Sequence, residues 1–218
     1  MKLAGRSALV RVAPSSQRIT AHAGLVLVRE LAGRLGLPEL LDRVTVKERR
    51  RGYSSSQQVL ALCETLIAGG DCLDDVALLR ADAAQEQLRG HGLPDATTLG
   101  RFLRRFSLGH LGQLNRVLDD LFARVHGLLE RETVTLDLDA SYVETHGPVG
   151  SRQGARGTYQ GKVAWHPLLC FVAETGEWLH AKFRNGHAAA SSGASGFLGE
   201  CLRRLPARSR VYLRADEG

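Results

Sequence analysis

Residues 131–141 read RETVTLDLDAS, and this stretch divides the chain. From Thr133 to Asp139, β-branched and apolar residues alternate with polar ones at the two-residue period of a strand. Everything before it has helical periodicity. After it come a Gly-rich turn region (Gly147 to Gly161), a hairpin pattern, an amphipathic helix and a last apolar run, RVYLRAD, at residues 210–216. The first strand ends on Asp139 and the last on Asp216, so each delivers a carboxylate at its tip. The expected fold class is α+β: an all-α region over residues 1–131, then β-β-β-α-β over residues 132–218.

Within the helical region, SSSQQVLALCETLIAGG at 54–70 predicts a helix with a Ser N-cap and a stop at Gly69 and Gly70. Val59, Leu60, Cys63, Leu66 and Ile67 are its expected apolar face. LPDATTLGRFLRRF at 93–106 predicts a second, capped by Asp95, Thr97 or Thr98, with Leu99, Phe102, Leu103 and Phe106 as its stripe. Arg101, Arg104 and Arg105 lie off that stripe. A longer helix is expected over about Leu111 to Leu129. In the second region two apolar runs flank Glu174, Thr175 and Gly176 as a hairpin. A helix with Phe197, Leu198, Cys201, Leu202 and Leu205 on one side follows.

Composition narrows the function. The 218 residues are 44% hydrophobic and 24% charged, as in globular proteins, and no run of 18 uncharged apolar residues or secretory signal is present. No membrane role is expected, and the expected location is the cytoplasm, at the nucleoid when DNA is bound. The net charge of +6 favours a polyanionic partner. Cys63, Cys72, Cys170 and Cys201 are widely spread without a C-x-x-C pair, so they read as small buried hydrophobes. His146, His166, His180 and His187 cluster in the β region without metal spacing and read as structural or solvated. GSRQGARG lacks the G-K-[ST] ending of a phosphate loop, so no nucleotide cofactor is expected.

Asp139 and Asp216 are the candidate catalytic and metal-ligating acids. If their strands are neighbours, two like charges lie a few ångströms apart and need a cation between them. Carboxylate oxygens suit Mg²⁺ or Mn²⁺, and two such ions can clamp the attacking and leaving oxygens of a phosphodiester. Asp137, two residues before Asp139, faces the same way and is a further candidate ligand, or a plain strand-edge charge. The strand order with these acids is that of an RNase H-like nuclease core.

LDLDAS, the segment from Gly150 to Pro206 and VYLRAD resemble the DDE transposases of bacterial insertion sequences, most closely the thirteen-eighty group. AGLVLVRELAGRLGL, LIAGGDCLDDVALLRAD and LPDATTLGRFLRRF are similar to that family's leading helical region. The resemblance implies cleavage and strand transfer of double-stranded DNA at an element's terminal inverted repeats. It implies two divalent ions held by Asp, Asp and Glu, with Asp139 and Asp216 as the first two, and action as a homodimer. The family's Glu lies further downstream, and its pattern continues RADSGF where this chain has Glu217 and Gly218. The resemblance therefore implies a C-terminally truncated transposase, inactive alone.

Arg101, Arg104 and Arg105, the basic loop residues Arg49, Arg50 and Arg51, and Arg184 are candidate DNA contacts; each also reads as a solvated charge or, for Arg184, a salt bridge. The alternative function is a non-catalytic DNA-binding or dimerising protein derived from a transposase.

Overall fold

The structure, a computed structural model, describes residues 19–44, 46, 52–126, 132–150, 152–158, 160–206 and 209–215. Among them are eight α-helices and two sheets, so the class is mixed α+β. The chain divides into two compact units, residues 1–117 and 118–218.

The first unit is helical: α1 (Leu25–Arg34), α2 (Leu37–Leu41), α3 (Ser55–Ile67), a 3-10 turn at Leu73–Asp75, α4 (Val76–Ala81), α5 (Ala83–Arg89), α6 (Ala96–Leu103) and the start of α7 (Leu108–His126). Ser54 caps α3 through a reciprocal box: its hydroxyl accepts from the Gln57 amide, and the Gln57 side chain accepts from the Ser54 amide. The helix stops at Gly69, whose φ of +95° is closed to most side chains. The next residue must also be glycine, because a Cβ on Gly70 would lie 2.8 Å from both Asp75 and Thr65.

The expected apolar face of α3 is corrected. Leu66 and Ile67 are exposed, whereas Gln58, Ala61, Glu64 and Thr65 are buried. Glu64 is inside because it is paired: Arg29 reaches its Oε2 at 3.0 Å and Arg89 at 2.8 Å. Arg29 also donates to the buried Gln85, whose amide donates to the His22 carbonyl. A carboxylate with two guanidiniums meets the condition under which charge can be buried. Beside it lies an apolar cluster of Leu25, Ala61, Val76, Leu79, Leu93 and Leu99. The stripe on α6 is shorter than expected. Leu99 and Phe102 are buried, Leu103 is exposed, and Phe106 lies past the helix end, edge-on to Phe102. Of the cysteines, Cys72 is exposed rather than buried.

In the second unit, β1 (Thr133–Ala140), β2 (Val143–Glu144), β3 (Arg156–Gly157), β4 (Val163–Trp165), β5 (Leu168–Val172) and β6 (Glu177–Lys182) precede α8 (Ala194–Leu202) and β7 (Arg210–Ala215). The main sheet has the order β6-β5-β1-β7, antiparallel except that β7 runs parallel to β1. Alternation sends Val134 and Leu136 inward with Cys170 and Val172 of β5, against Phe197, Cys201 and Leu205 of the α8 segment. Each such large side chain contributes about 1.5–3 kcal/mol on burial. Asp137 and Asp139 point to the opposite face. The second sheet, β2-β4-β3, is made of two- and three-residue strands in the Gly-rich region and is not expected from the pattern.

A polar tie joins α8 to β6. His180 is buried, stacked on Phe197 at 5.0 Å, with Nε2 2.9 Å from Glu200 Oε2; Lys182 holds the other oxygen at 2.9 Å. A carboxylate only accepts, so Nε2 carries the proton. Burial pushes the His180 pKa down, and Lys182, then His180, hold that of Glu200 down. The unfolded chain thus takes up a proton near pH 6.5 that folded His180 refuses. Stability is expected to fall as pH drops below about 6.5 by this group, and further below about 4.5 as Glu200 loses its charge. Urea unfolding at pH 7.5 and 5.5 checks this: the parent should lose stability between the two, and His180→Gln should lose less.

Candidate functional site

Asp139 stands on the penultimate residue of β1 and is exposed. Its Oδ1 accepts from the following Ala140 amide at 2.7 Å, and no cationic side chain pairs with it among the described residues. It is therefore a hard oxygen donor open to solvent, as a divalent cation requires.

Asp137 is differently placed. Both of its oxygens accept from the Arg214 guanidinium on β7, at 2.6 and 2.5 Å, and this contact holds its carboxyl below the usual range. A fork-to-fork pair of this kind occupies both oxygens. Asp137, which reads from the sequence as a further candidate ligand or a plain strand-edge charge, is here the cross-strand ion-pair partner of Arg214.

The segment beyond Asp139 is fastened to the start of β5. The Ser141 amide donates to the Pro167 carbonyl at 3.3 Å, and Tyr142 stacks on buried His166 at 4.2 Å between ring centres. His166 Nδ1 lies 2.7 Å from the Ala188 carbonyl. Arg184 makes no salt bridge among the described residues. Its guanidinium donates to four backbone carbonyls: His166 from Nε, and Ala189, Ala190 and Ser192 from Nη1, at 2.7–3.1 Å. His187 is exposed at the same loop, its amide donating to Asn185.

Arg101, Arg104 and Arg105 are exposed on and just after α6 in the first unit. That helix is capped by Asp95, which accepts from the Thr98 amide at 2.6 Å. Arg49, Arg50, Arg51 and Asp216 lie outside the described residues. Among the described residues, one set of three potential metal ligands converges: Asp71, Cys72 and Asp75. Nothing in the sequence pattern singles it out, and Asp75 there accepts from the Asp71 and Cys72 amides as a turn cap. No described helix is long and apolar enough to cross a membrane.

The chain thus combines a mixed sheet, with an open aspartate at the tip of its first strand, and a helical unit with exposed arginines. The family model for the transposase DDE domain, group 1, matches residues 3–218. The chain belongs to the DDE transposase family, whose members act on DNA with divalent metal ions. No curated protein and no solved structure matches the chain.

Proposed function

We propose that this chain carries the DNA-binding region and RNase H-like catalytic-core elements of an insertion-sequence transposase of the thirteen-eighty group. Asp139 and Asp216 are the first two acids of the metal site. One observation carries this reading. β1 and β7 run side by side in parallel with a constant offset of 77 residues, Asp137 facing Arg214 and Leu138 facing Ala215. The same 77 residues separate Asp139 from Asp216. The order β6-β5-β1-β7, with only β7 parallel to β1, supports the RNase H-like assignment.

Asp139 fits a divalent ion because it is exposed and lacks a basic partner among the described residues, in contrast to Asp137. Mg²⁺ or Mn²⁺ bound there would polarise a phosphodiester and lower the pKa of a nucleophilic water. The chain's own contribution in this reading is to present Asp139 at the end of β1, beside the parallel β7 that leads to Asp216 in sequence; two carboxylates brought close in that way would repel until a cation lies between them. We assign no residue of this chain to the family's third acid. The partner is double-stranded DNA at the element's terminal repeats, bound by a homodimer.

Arg101, Arg104 and Arg105 bind backbone phosphates in this reading. Each phosphate that is no longer neutralised lowers the slope of log K against log salt by about 0.9. Replacing all three by alanine should reduce that slope by up to about 2.7. Fluorescence anisotropy with a terminal-repeat duplex between 50 and 200 mM salt, the range over which such slopes are commonly read, measures it. An unchanged slope removes these residues from the interface, and no binding by the parent chain overturns the DNA-binding reading.

A further inference from the structure

We propose that Arg184 is a positioning residue for the metal site: its guanidinium sets the backbone on which Asp139 leaves β1. This rests on the reading of Asp139 as a metal ligand. The connection is a short series of contacts. Arg184 grips the His166 carbonyl from Nε at 2.9 Å, while its own carbonyl accepts from the His166 amide at 3.2 Å. The next carbonyl, Pro167, receives the Ser141 amide, and the His166 ring lies beneath Tyr142. Ser141 and Tyr142, the two residues that follow β1, are therefore held from the side by Pro167 and His166, and His166 is held by Arg184.

The other arm of the guanidinium fixes the loop that packs on this junction. Nη1 draws together the carbonyls of Ala189, Ala190 and Ser192. The same turn carries Asn185, bridged to Trp165, and Gly186, whose Cβ would lie 2.2 Å from the Ala164 carbonyl and 2.8 Å from that of Arg156. The loop is thus seated against the second sheet with no room for a side chain. Arg184 Nη2 is buried and lacks a hydrogen-bond partner among the described residues. An unsatisfied buried donor is unfavourable, and the four bonds made by Nε and Nη1 offset that cost. Lysine offers one compact ammonium and cannot span carbonyls on both sides of the loop. Groups that orient a ligating carboxylate typically change metal affinity about 10–100-fold when removed.

The test uses the 218-residue chain with Arg184→Gln, Arg184→Lys and, as control, Asp139→Asn. Mn²⁺ affinity is read from water-proton relaxation, and amide exchange is followed at Ser141, His166 and, in mid-strand, Leu136. The expected result is a loss of Mn²⁺ affinity of at least about tenfold in both Arg184 variants. Ser141 and His166 exchange should rise by about tenfold or more while Leu136 stays protected, and added ethylguanidinium should restore part of the affinity of Arg184→Gln. Parental Mn²⁺ affinity in Arg184→Gln overturns the proposal even if exchange rises. Loss of protection at Leu136 equal to that at Ser141 also overturns it, since the role is then global stability. Mn²⁺ binding unaffected by Asp139→Asn removes the metal-site reading itself, and the positioning role falls with it; that outcome is recognised from the control alone.

Discussion

Asp139→Asn is expected to lower the Mn²⁺ affinity of the second unit at least about tenfold, because it removes the negative charge from the one acid at the tip of β1. Thermal stability should barely change. Asp139 is exposed, and its carboxylate accepts from the adjacent Ala140 amide, a bond that an asparagine oxygen can also accept. Asp137→Asn is the informative comparison. It lies on the same face of the same strand, yet its carboxylate is held by Arg214. Its loss should leave Mn²⁺ affinity near the parental value, and breaking this exposed pair should change stability little. Relaxation titrations of the two variants side by side separate a ligand from a neighbouring charge. Equal losses in both would return Asp137 to the ligand set.

Glu64→Ala is expected to destabilise the first unit by about 3–5 kcal/mol, the usual result of breaking a buried ion pair from one side. Arg89 and Glu64 have side chains 3% and 4% exposed, so neither can turn to water when its partner is removed. Arg29 would lose the same carboxylate, keeping Gln85 as its acceptor. The penalty comes from stranding two cations, not from the intrinsic worth of the pair. Replacing Arg29, Glu64 and Arg89 together by Met, Leu and Met should therefore recover most of the loss. Urea unfolding measures both variants, and a loss below about 1 kcal/mol in Glu64→Ala would contradict the network.

Local pattern encodes part of this fold and is legible in the sequence. The alternation in Thr133–Asp139 marks β1, the two apolar runs around Gly176 mark the β5–β6 hairpin, and the spacing of Phe197, Cys201 and Leu205 marks the α8 segment. The buried face of α3 departs from its apolar pattern for a physical reason. Its decisive residue is an acid, buried by arginines 35 and 25 residues away in sequence, and periodicity cannot register such partners. Likewise β2, β3 and β4 are too short to alternate. Asp139 is recognisable as a strand-end acid. The occupation of Asp137 by Arg214, while Asp139 has no cationic partner among the described residues, depends on β7 returning parallel beside β1. Arg184 reads in the sequence as a salt-bridge or phosphate-contact residue, because the carbonyls that occupy it belong to a junction and a loop that meet only in the fold.

A divalent ion held where β1 and β7 end is the centre of the proposed function. Addition of Mn²⁺ to the ¹⁵N-labelled chain, with amide signals followed by NMR, tests it most directly. The signals of Asp139 and Ala140 are predicted to broaden first, and Asp139→Asn to abolish the effect. Broadening confined to Asp71–Asp75, with Asp139 sharp, would contradict it.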